Sequence, residues 1–366
     1  MFEFIEKIKQ LNSGLKSYKL PYEFDIKQSY IIYGDNEFVL NSLLNDYFGK
    51  IDLIYIDPPF NTNQIFEVSQ NRSNAISRKK TGQIAYSDDM KFDDFLLFMY
   101  LRFNLMYKLL SDKGSLYVHI DDKTGPYFKI ILDEIFGAQN FKNEIVRIKS
   151  NPKNFDRKAY GNEKDIILFY AKNHSINIWN EVKIPLSENE LIKKFPKIDK
   201  NGRRYNTIPL HAPGESSPTS ATGMPWRGML PPEGRHWRTN PAEFDRLDSA
   251  GDIEWSRNGN PRIKKYSDEH KGMKIQDIWS FKDTQYPKYP TEKNLDMLDL
   301  IIKQSSNVGS IVMDCFAGSG TTLLAAARNK RTFIGIDSSK IAIEVEKQKL
   351  SNYVFNFIDT DILSKK

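Results

Sequence analysis

Residues 310–322 read Ser310-Ile311-Val312-Met313-Asp314-Cys315-Phe316-Ala317-Gly318-Ser319-Gly320-Thr321-Thr322, and residues 332–337 read Thr332-Phe333-Ile334-Gly335-Ile336-Asp337. The first run predicts a strand over 310–313, a glycine turn and a helix over 321–329. The second predicts a strand over 332–336, with a helix over 341–350 behind it. Two glycines let the backbone approach a ligand closely, and the helix start presents free N–H groups. The Gly-x-Gly spacing lacks the third glycine of the dinucleotide fingerprint, which points to a nucleoside cofactor without a pyrophosphate. Asp337 ends the second strand, where an acid can hold both hydroxyls of a ribose. The plainer alternative is an ordinary tight strand-to-helix turn with an acidic cap nearby.

Upstream, Ile51-Asp52-Leu53-Ile54-Tyr55-Ile56 is a near-continuous apolar run, as a parallel strand covered on both faces requires. It stops at Asp57-Pro58-Pro59-Phe60, because two prolines cannot extend a central strand. Further strands are expected over 29–33, 114–120, 145–149 and 166–170, and helices over 38–47, 92–110, 127–136 and 295–303. Asn61 to Asp89 reads as a long polar loop. Alternating strands and helices predict an α/β fold with one doubly wound, mostly parallel sheet. Ligands bind at the carboxyl ends of strands in such sheets. There the Asp57 carboxylate and the Pro58 carbonyl offer two acceptors for an exocyclic amine. Pro59 stiffens the turn, and Phe60 offers an aromatic face for a planar ring.

The chain has 366 residues, enough for about two units or one large domain carrying an insertion. With 40% hydrophobic and 27% charged residues, it reads as globular, which excludes collagen-like, disordered and multi-span membrane classes. The apolar window Phe95 to Leu110 is broken by Arg102, Asn104 and Lys108 and reads as a packed helix, so no membrane association is expected. Met1-Phe2-Glu3-Phe4-Ile5-Glu6 has no basic stretch leading into an apolar core; no secretion signal is expected, and a cytoplasmic location is the default. One cysteine and five scattered histidines give no expectation of a disulfide or a metal site.

The net charge of +6 is unevenly placed: residues 141–288 carry 27 Lys+Arg against 19 Asp+Glu, and the remainder 26 against 28. Such a region favours a polyanionic partner. Within it, residues 209–234 hold six prolines and four glycines, a density that predicts no regular element. Trp226, Trp237, Trp255 and Trp279 are interleaved with arginines over 226–279. The expectation is an irregular aromatic and basic module inserted into the α/β frame. Some of its tryptophans hold the module together. Arg227, Arg235, Arg238 and Arg257 are candidates for contacts to phosphates and base edges.

Asp57-Pro58-Pro59-Phe60 together with Asp314–Thr322 resembles the paired signature of the S-adenosylmethionine-dependent amino-group DNA methyltransferases of the restriction–modification type. The order of the two elements around a basic insertion resembles the β group of that family, whose insertion is the target recognition domain. Tyr289-Pro290-Thr291-Glu292-Lys293 resembles the family's His-Pro-Thr-x-Lys element, with Tyr289 in place of the usual histidine and no proline after Lys293. Gly34-Asp35 resembles its acidic element near the cofactor adenine, and residues 164–173 its late catalytic-half strand. The resemblance runs from about residue 29 to 350. It implies an N-terminal extension over 1–28, a catalytic half over 29–175, a target recognition insertion over 176–285, a cofactor-binding half over 286–350 and a C-terminal tail over 351–366.

The cofactor so implied is S-adenosylmethionine. Its expected contacts are Asp35, Asp57, Lys293, Asp314, Phe316, Ala317, Gly318, Ser319, Gly320, Thr321, Thr322 and Asp337; Asp57, Pro58, Pro59 and Phe60 are the expected catalytic residues. The implied reaction is direct methyl transfer to the exocyclic amine of a base flipped out of duplex DNA. Cys315 lies in the cofactor turn and not in a Pro-Cys element, which argues against carbon methylation of cytosine. Aspartate before Pro-Pro favours adenine N6 over cytosine N4; an RNA or protein amine is the alternative substrate. A cognate restriction endonuclease and a second copy of the chain are further candidate partners. A nicotinamide oxidoreductase would share the sheet but leave Asp-Pro-Pro-Phe and the basic module unexplained. A catalytically silent nucleic-acid-binding protein would not keep the tetrapeptide.

Overall fold

The computed structural model describes residues 19–59, 64–68, 83–88, 90–149, 158, 160–282 and 292–363, with 64–68 and 83–88 described by their backbone alone. Phe60 and Tyr289-Pro290-Thr291 lie outside the described residues. In chain order the elements are β1 (Tyr30–Tyr33), α1 (Asn36–Tyr47), β2 (Ile51–Ile56), β3 (Gln64–Val68), β4 (Gln83–Asp88), α2 (Phe92–Leu109), β5 (Leu110–Ile120), α3 (Gly125–Phe136), β6 (Phe141–Ile148) and β7 (Lys164–Ala171). Next come β8 (Lys183–Ile184), α4 (Glu188–Lys194), β9 (Lys197–Ile198), β10 (Arg204–Pro209), β11 (His211–Pro213), β12 (Arg235–Trp237), α5 (Pro241–Ser249), β13 (Ile253–Trp255), β14 (Pro261–Tyr266) and β15 (Met273–Lys274). The chain closes with β16 (Ile278–Trp279), α6 (Leu295–Ser305), β17 (Ile311–Asp314), α7 (Thr321–Arg328), β18 (Thr332–Asp337), α8 (Lys340–Lys349), β19 (Asn356–Asp359) and α9 (Thr360–Leu363). They form two compact units, one of Met1–Val182 with Gln276–Lys366 and the other of Lys183–Ile275.

The first unit is built on a nine-stranded sheet in the order β16-β6-β7-β5-β2-β17-β18-β1-β19. All pairings are parallel except those of β7 with β5 and β6, so β7 alone runs against the others. This is the open, doubly wound, mostly parallel sheet expected from the sequence. Its central strands are apolar on both faces because both are covered. Ile54, Ile56, Val118 and Ile334 join a core with residues of α1, α2 and α3. The alternate positions, Tyr55 and Tyr117 among them, point to the other face. There Tyr117 Oη meets Ser305 Oγ of α6 at 2.7 Å. From β2 the chain moves to β5 on one side, and from β17 to β18 on the other, so the switch point lies between β2 and β17. A ligand crevice is expected outside the carboxyl ends at such a point.

Three segments differ from the sequence reading. β3 and β4 pair antiparallel inside the expected loop 61–89. Residues 351–363, read as a tail, add β19 beside β1 and a short helix. Leu20 and Phe24 are buried in the main core, where Phe24 packs edge-on against Tyr30 and Tyr47.

The second unit is more regular than its proline and glycine content suggests. β13-β14-β10-β9 form an antiparallel sheet, β11 pairs with β12 and β15 with β8. α4 begins with a Ser187/Glu190 capping box, and α5 has Asn240 as its cap and Pro241 in its first turn. The dense stretch itself carries the last residue of β10, β11, one isolated Trp226–Met229 bridge and turns. A core of Leu210, Trp226, Trp237, Phe244, Ile253 and Ile263 holds the unit together. Trp226 Nε1 donates to Asp245 Oδ1 at 2.9 Å and Trp237 Nε1 to the Met224 carbonyl at 2.8 Å, so both indoles are buried without an orphaned donor. Trp279 belongs to the first unit, where β16 pairs with β6.

No helix among the described residues is long and apolar enough to cross a membrane. Phe244 is fully buried between Trp226 and Trp237, with ring centroids 5.2 and 5.7 Å away. Phe244→Ala is expected to destabilise the second unit by about 3–5 kcal/mol, measured by urea denaturation followed through tryptophan fluorescence. A loss below about 1 kcal/mol would show that this cluster is not the unit's core.

Candidate active site

The carboxyl ends of β2, β17 and β18 deliver Asp57, Asp314 and Asp337 to one crevice. Asp57 follows the last residue of β2 and escapes the ladder, because Pro58 and Pro59 cannot continue it. Its Oδ2 lies 2.6 Å from Lys293 Nζ, an ion pair that is mostly buried on both sides. Its Oδ1 is buried with no hydrogen-bond partner among the described residues. A buried carboxylate oxygen without a donor is costly unless a ligand supplies one. Pro58 is buried beside it and has no N–H to donate.

The glycine turn after β17 takes its shape from the two neighbouring acids. Asp314 Oδ1 accepts from Phe316 N–H at 3.0 Å, and Asp337 Oδ2 accepts from Gly318 N–H at 2.8 Å. Asp337 Oδ1 accepts from Ser339 N–H at 2.8 Å. Asp337 thus splints two turns at once; with the Ser338 N–H as a third donor, the carboxylate still has acceptor capacity to spare. Gly318 and Gly320 have φ of +53° and +69°, which only glycine adopts freely. A Cβ on Gly320 would also come within 2.9 Å of Glu346 Cγ. Ser319 Oγ and Thr321 Oγ1 are 2.8 Å apart, and Lys349 Nζ donates to Thr321 Oγ1 at 2.8 Å and to Glu292 Oε1 at 2.6 Å. Thr322 bonds the Asp314 carboxyl.

On the far side of the turn, Asp35 caps α1, its Oδ1 accepting from Glu37 and Phe38 N–H. Asp35 Oδ2 is 3.5 Å from Arg102 Nη2. Arg102 stacks on the Phe98 ring at 3.3 Å, and Phe98 lies 6.3 Å from Phe316, which is partly exposed. Asn36 Nδ2 reaches the Cys315 carbonyl at 2.8 Å, tying α1 to the glycine turn. The Cys315 thiol is buried, and burial raises its pKa well above the ordinary value.

Burial concentrates acid here faster than the cations compensate it. Asp314 is pushed up to about 7 by burial, with Asp57 and Asp337 adding to the shift and Thr322 and the Phe316 N–H opposing it. Burial also raises Asp337, and Glu346 is driven well above the carboxylate range by burial, Asp337 and Asp314. Both Glu346 oxygens lack partners among the described residues. A positively charged ligand group would relieve this excess.

The structure brings Asp57, Pro58, Asp314, Asp337 and the glycine turn together at neighbouring strand ends. It places Lys293 on Asp57 itself, and it uses Asp35 as a helix cap. In the second unit Arg227 has a φ of +49° and is held by Asp245 at 3.0 Å and Asp248 at 2.6 Å. Arg235 Nη1 meets His211 Nδ1 at 3.2 Å, and Arg238 Nε donates to the Pro209 carbonyl at 3.0 Å. Both are exposed, as is Arg257. Sequence reasoning missed Arg102 and a buried polar chain of Tyr55, His119, Asp165 and Arg147. Their one sequence signal is a polar residue inside an apolar element, a helix for Arg102 and strands for the others.

A family model for DNA methylase matches residues 51–348. The chain is 41% identical over 327 residues to the type II methyltransferase M.EcaI of Enterobacter cloacae, covering 87% of this chain and 69% of that protein. It is 27% identical over 341 residues to the type III restriction-modification enzyme StyLTI Mod subunit of Salmonella typhimurium, covering 82% of this chain and 51% of that protein. It is 25% identical over 334 residues to the type II methyltransferase M.KpnI of Klebsiella pneumoniae, covering 83% and 77% respectively. The chain therefore spans about half to three quarters of the length of these relatives.

A carboxyl group whose pKa is higher folded than unfolded binds protons more tightly in the folded chain. Its contribution to stability is complete below the ordinary carboxylate range and is lost as pH rises through the folded value. For Asp314 that window runs from 3.8 to about 7. Asp314→Asn is therefore expected to gain stability relative to wild type by at least about 1 kcal/mol more at pH 8 than at pH 5, by urea denaturation. An equal difference at both pH values would contradict the assigned shift.

Proposed function

This chain belongs to the N6/N4 DNA methylase family, and within it we propose that it methylates the N6 amine of adenine in duplex DNA, with S-adenosylmethionine as methyl donor. The observation that carries the reading is Asp57 at the switch point of the sheet: one carboxylate oxygen clamped by Lys293, the other buried and unpartnered. That free oxygen, together with the carbonyl of the adjoining Pro58, is proposed to accept the two N–H bonds of an exocyclic amine.

The cofactor's fit rests on the crevice itself. The glycine turn admits close approach, the partly exposed Phe316 supplies an apolar wall, and Asp337 keeps acceptor capacity for ribose hydroxyls. The raised Asp314 and its acidic neighbours suit a ligand that carries positive charge. When bound, S-adenosylmethionine supplies an electrophilic methyl group. The amine is a poor nucleophile because its lone pair is delocalised into the base. Hydrogen bonds to Asp57 Oδ1 and the Pro58 carbonyl favour the pyramidal, more nucleophilic nitrogen, and the same acceptors stabilise the positive charge that develops there. Asp57 Oδ1 can then hold the proton that the nitrogen loses. Lys293 fixes the carboxylate through Oδ2, so orientation is set before the base arrives.

A base inside a duplex cannot reach this site and must be flipped out, with Phe60 as the proposed stacking face. Aspartate before the two prolines is what favours adenine over cytosine N4. The second unit carries 17 basic against 12 acidic residues over 183–275 and is proposed to grip phosphates, with Arg235, Arg238 and Arg257 as contacts. Arg227 is the weakest of the four candidates, since Asp245 and Asp248 already occupy it. A modification role alongside a restriction endonuclease of the same target is the proposed setting.

Asp57→Ala is expected to lower methyl transfer to DNA at least about 100-fold while calorimetry finds cofactor affinity of the same order. Near-normal turnover would sink the mechanism. Asp337→Ala, by contrast, is expected to weaken cofactor binding by about 1.5–3 kcal/mol, from lost charge-assisted bonds to ribose and a loosened glycine turn. Unchanged affinity would move the ribose site elsewhere.

A further inference from the structure

The machinery above leaves four buried polar side chains of the first unit without a role. Arg147 on β6, Asp165 on β7, His119 on β5 and Tyr55 on β2 are each at most 1% exposed. Their strands are consecutive in the sheet, β6-β7-β5-β2. Arg147 grips Asp165 bidentately, Nε to Oδ1 at 2.8 Å and Nη2 to Oδ2 at 2.6 Å. His119 Nδ1 lies 2.7 Å from Tyr55 Oη, and His119 Nε2 lies 3.0 Å from Asp165 Oδ1, within ion-pair range though not aligned as a hydrogen bond. These partners assign the protons. An ionised Asp165 only accepts, so Nε2 carries the ring hydrogen, and Nδ1 of the neutral ring accepts from the Tyr55 hydroxyl.

The chain ends where support is needed. β2 pairs with β5 as far as Ile56 and β17 pairs with β2 no further than Ile54, so Asp57 leaves the sheet with no ladder bond of its own. Tyr55 is two residues earlier, near the end of the strand that delivers Asp57 and close enough for the Asp57 charge to act on its hydroxyl. We propose that Arg147, Asp165, His119 and Tyr55 form a positioning chain for Asp57, in which clamped Asp165 orients the His119 ring and His119 fixes the Tyr55 hydroxyl and with it the end of β2. The proposal rests on the reading of Asp57 as acceptor of the target amine.

The electrostatics match that arrangement. The charged and titratable groups around His119 are Asp165, Arg147, Tyr55, Lys293 and Asp57. Burial lowers the His119 pKa, Asp165 and Asp57 oppose the shift, and Lys293 adds to it. Although burial alone would raise Asp165, His119 and Arg147 hold it far below the carboxylate range. The bidentate grip of Arg147 on both oxygens of Asp165 lets that carboxylate orient the imidazole without ionising it. A protonated His119 would donate from both nitrogens and turn the Tyr55 hydroxyl away. It would also set a cation near Lys293 and near an amine that is itself gaining positive charge. Loss of turnover at acid pH follows, with no change in cofactor affinity.

Single-turnover rates measured against pH, per cofactor-binding site, test this. Tyr55→Phe removes only the hydroxyl and is expected to slow transfer about tenfold with the cofactor KM within about twofold. Arg147→Met leaves Asp165 free to favour the imidazolium, so the acid limb is expected to move up by about one pH unit or more. In a His119→Gln background the same change should move nothing. A full single-turnover rate in Tyr55→Phe overturns the proposal, as does an Arg147→Met shift that survives His119→Gln. Should Arg147→Met fail to fold, the ring-nitrogen NMR signals of His119 in the wild-type protein decide the matter. A neutral ring protonated at Nε2 at pH 7 is expected; an Nδ1–H tautomer or an imidazolium overturns the chain whether or not DNA is the substrate. A wild-type protein that methylates no DNA but shows the Nε2–H tautomer would sink the reading of the site and leave the chain's geometry standing.

Discussion

Acidic side chains at the carboxyl ends of adjacent parallel strands cannot be desolvated without donors, and the first unit is organised around supplying those donors. β2, β17 and β18 run side by side in one direction; the register sets Asp314 opposite Gly335 and Met313 opposite Ile54, so Asp57 and Asp337 end their strands two residues beyond the level of Asp314. The glycine turn exists in its present shape because Asp314 and Asp337 draw in the N–H groups of Phe316 and Gly318. Lys293 takes one oxygen of Asp57 and leaves the other unsatisfied. What remains uncompensated is the part that a cationic cofactor and an amine can complete.

The same constraint separates the two sides of the sheet. On the cofactor side, acid is left in excess and burial raises its pKa. On the other side of β2, both oxygens of Asp165 are held by Arg147, with His119 beside it. A reaction that builds positive charge on nitrogen is helped by the first arrangement and would be hindered by a stray cation in the second. The two are joined through β2, which carries Tyr55 and ends one residue before Asp57.

Much of the first unit was legible because buried parallel strands leave a plain signal: continuous apolar runs such as residues 51–56 and 166–170, each cut by a turn. β19 escaped notice since Asn356-Phe357-Ile358-Asp359 is short and half polar. The second unit was harder, because strands of two to six residues rich in Arg, Lys and Tyr carry no period that sequence can show. In the site, residues close in sequence were readable as a group and contacts between distant segments were not. Nothing in Glu292-Lys293 announces its ion pair with Asp57. Asp35 reads in the sequence as the acidic element near the cofactor adenine, and the structure shows it serving as a helix cap. His119 and Asp165 looked like isolated polar residues in apolar strands until strand order placed them beside Tyr55 and Arg147.

The central claim is that the unpartnered oxygen of Asp57 and the Pro58 carbonyl receive the amine of adenine. It is tested most directly by incubating the protein with methyl-labelled S-adenosylmethionine and unmethylated genomic DNA, then digesting the DNA to nucleosides and identifying the labelled one. The account predicts label in N6-methyldeoxyadenosine. Label in N4-methyldeoxycytidine would contradict the choice of base, and label in 5-methyldeoxycytidine, or none in DNA at all, would contradict the account of the site.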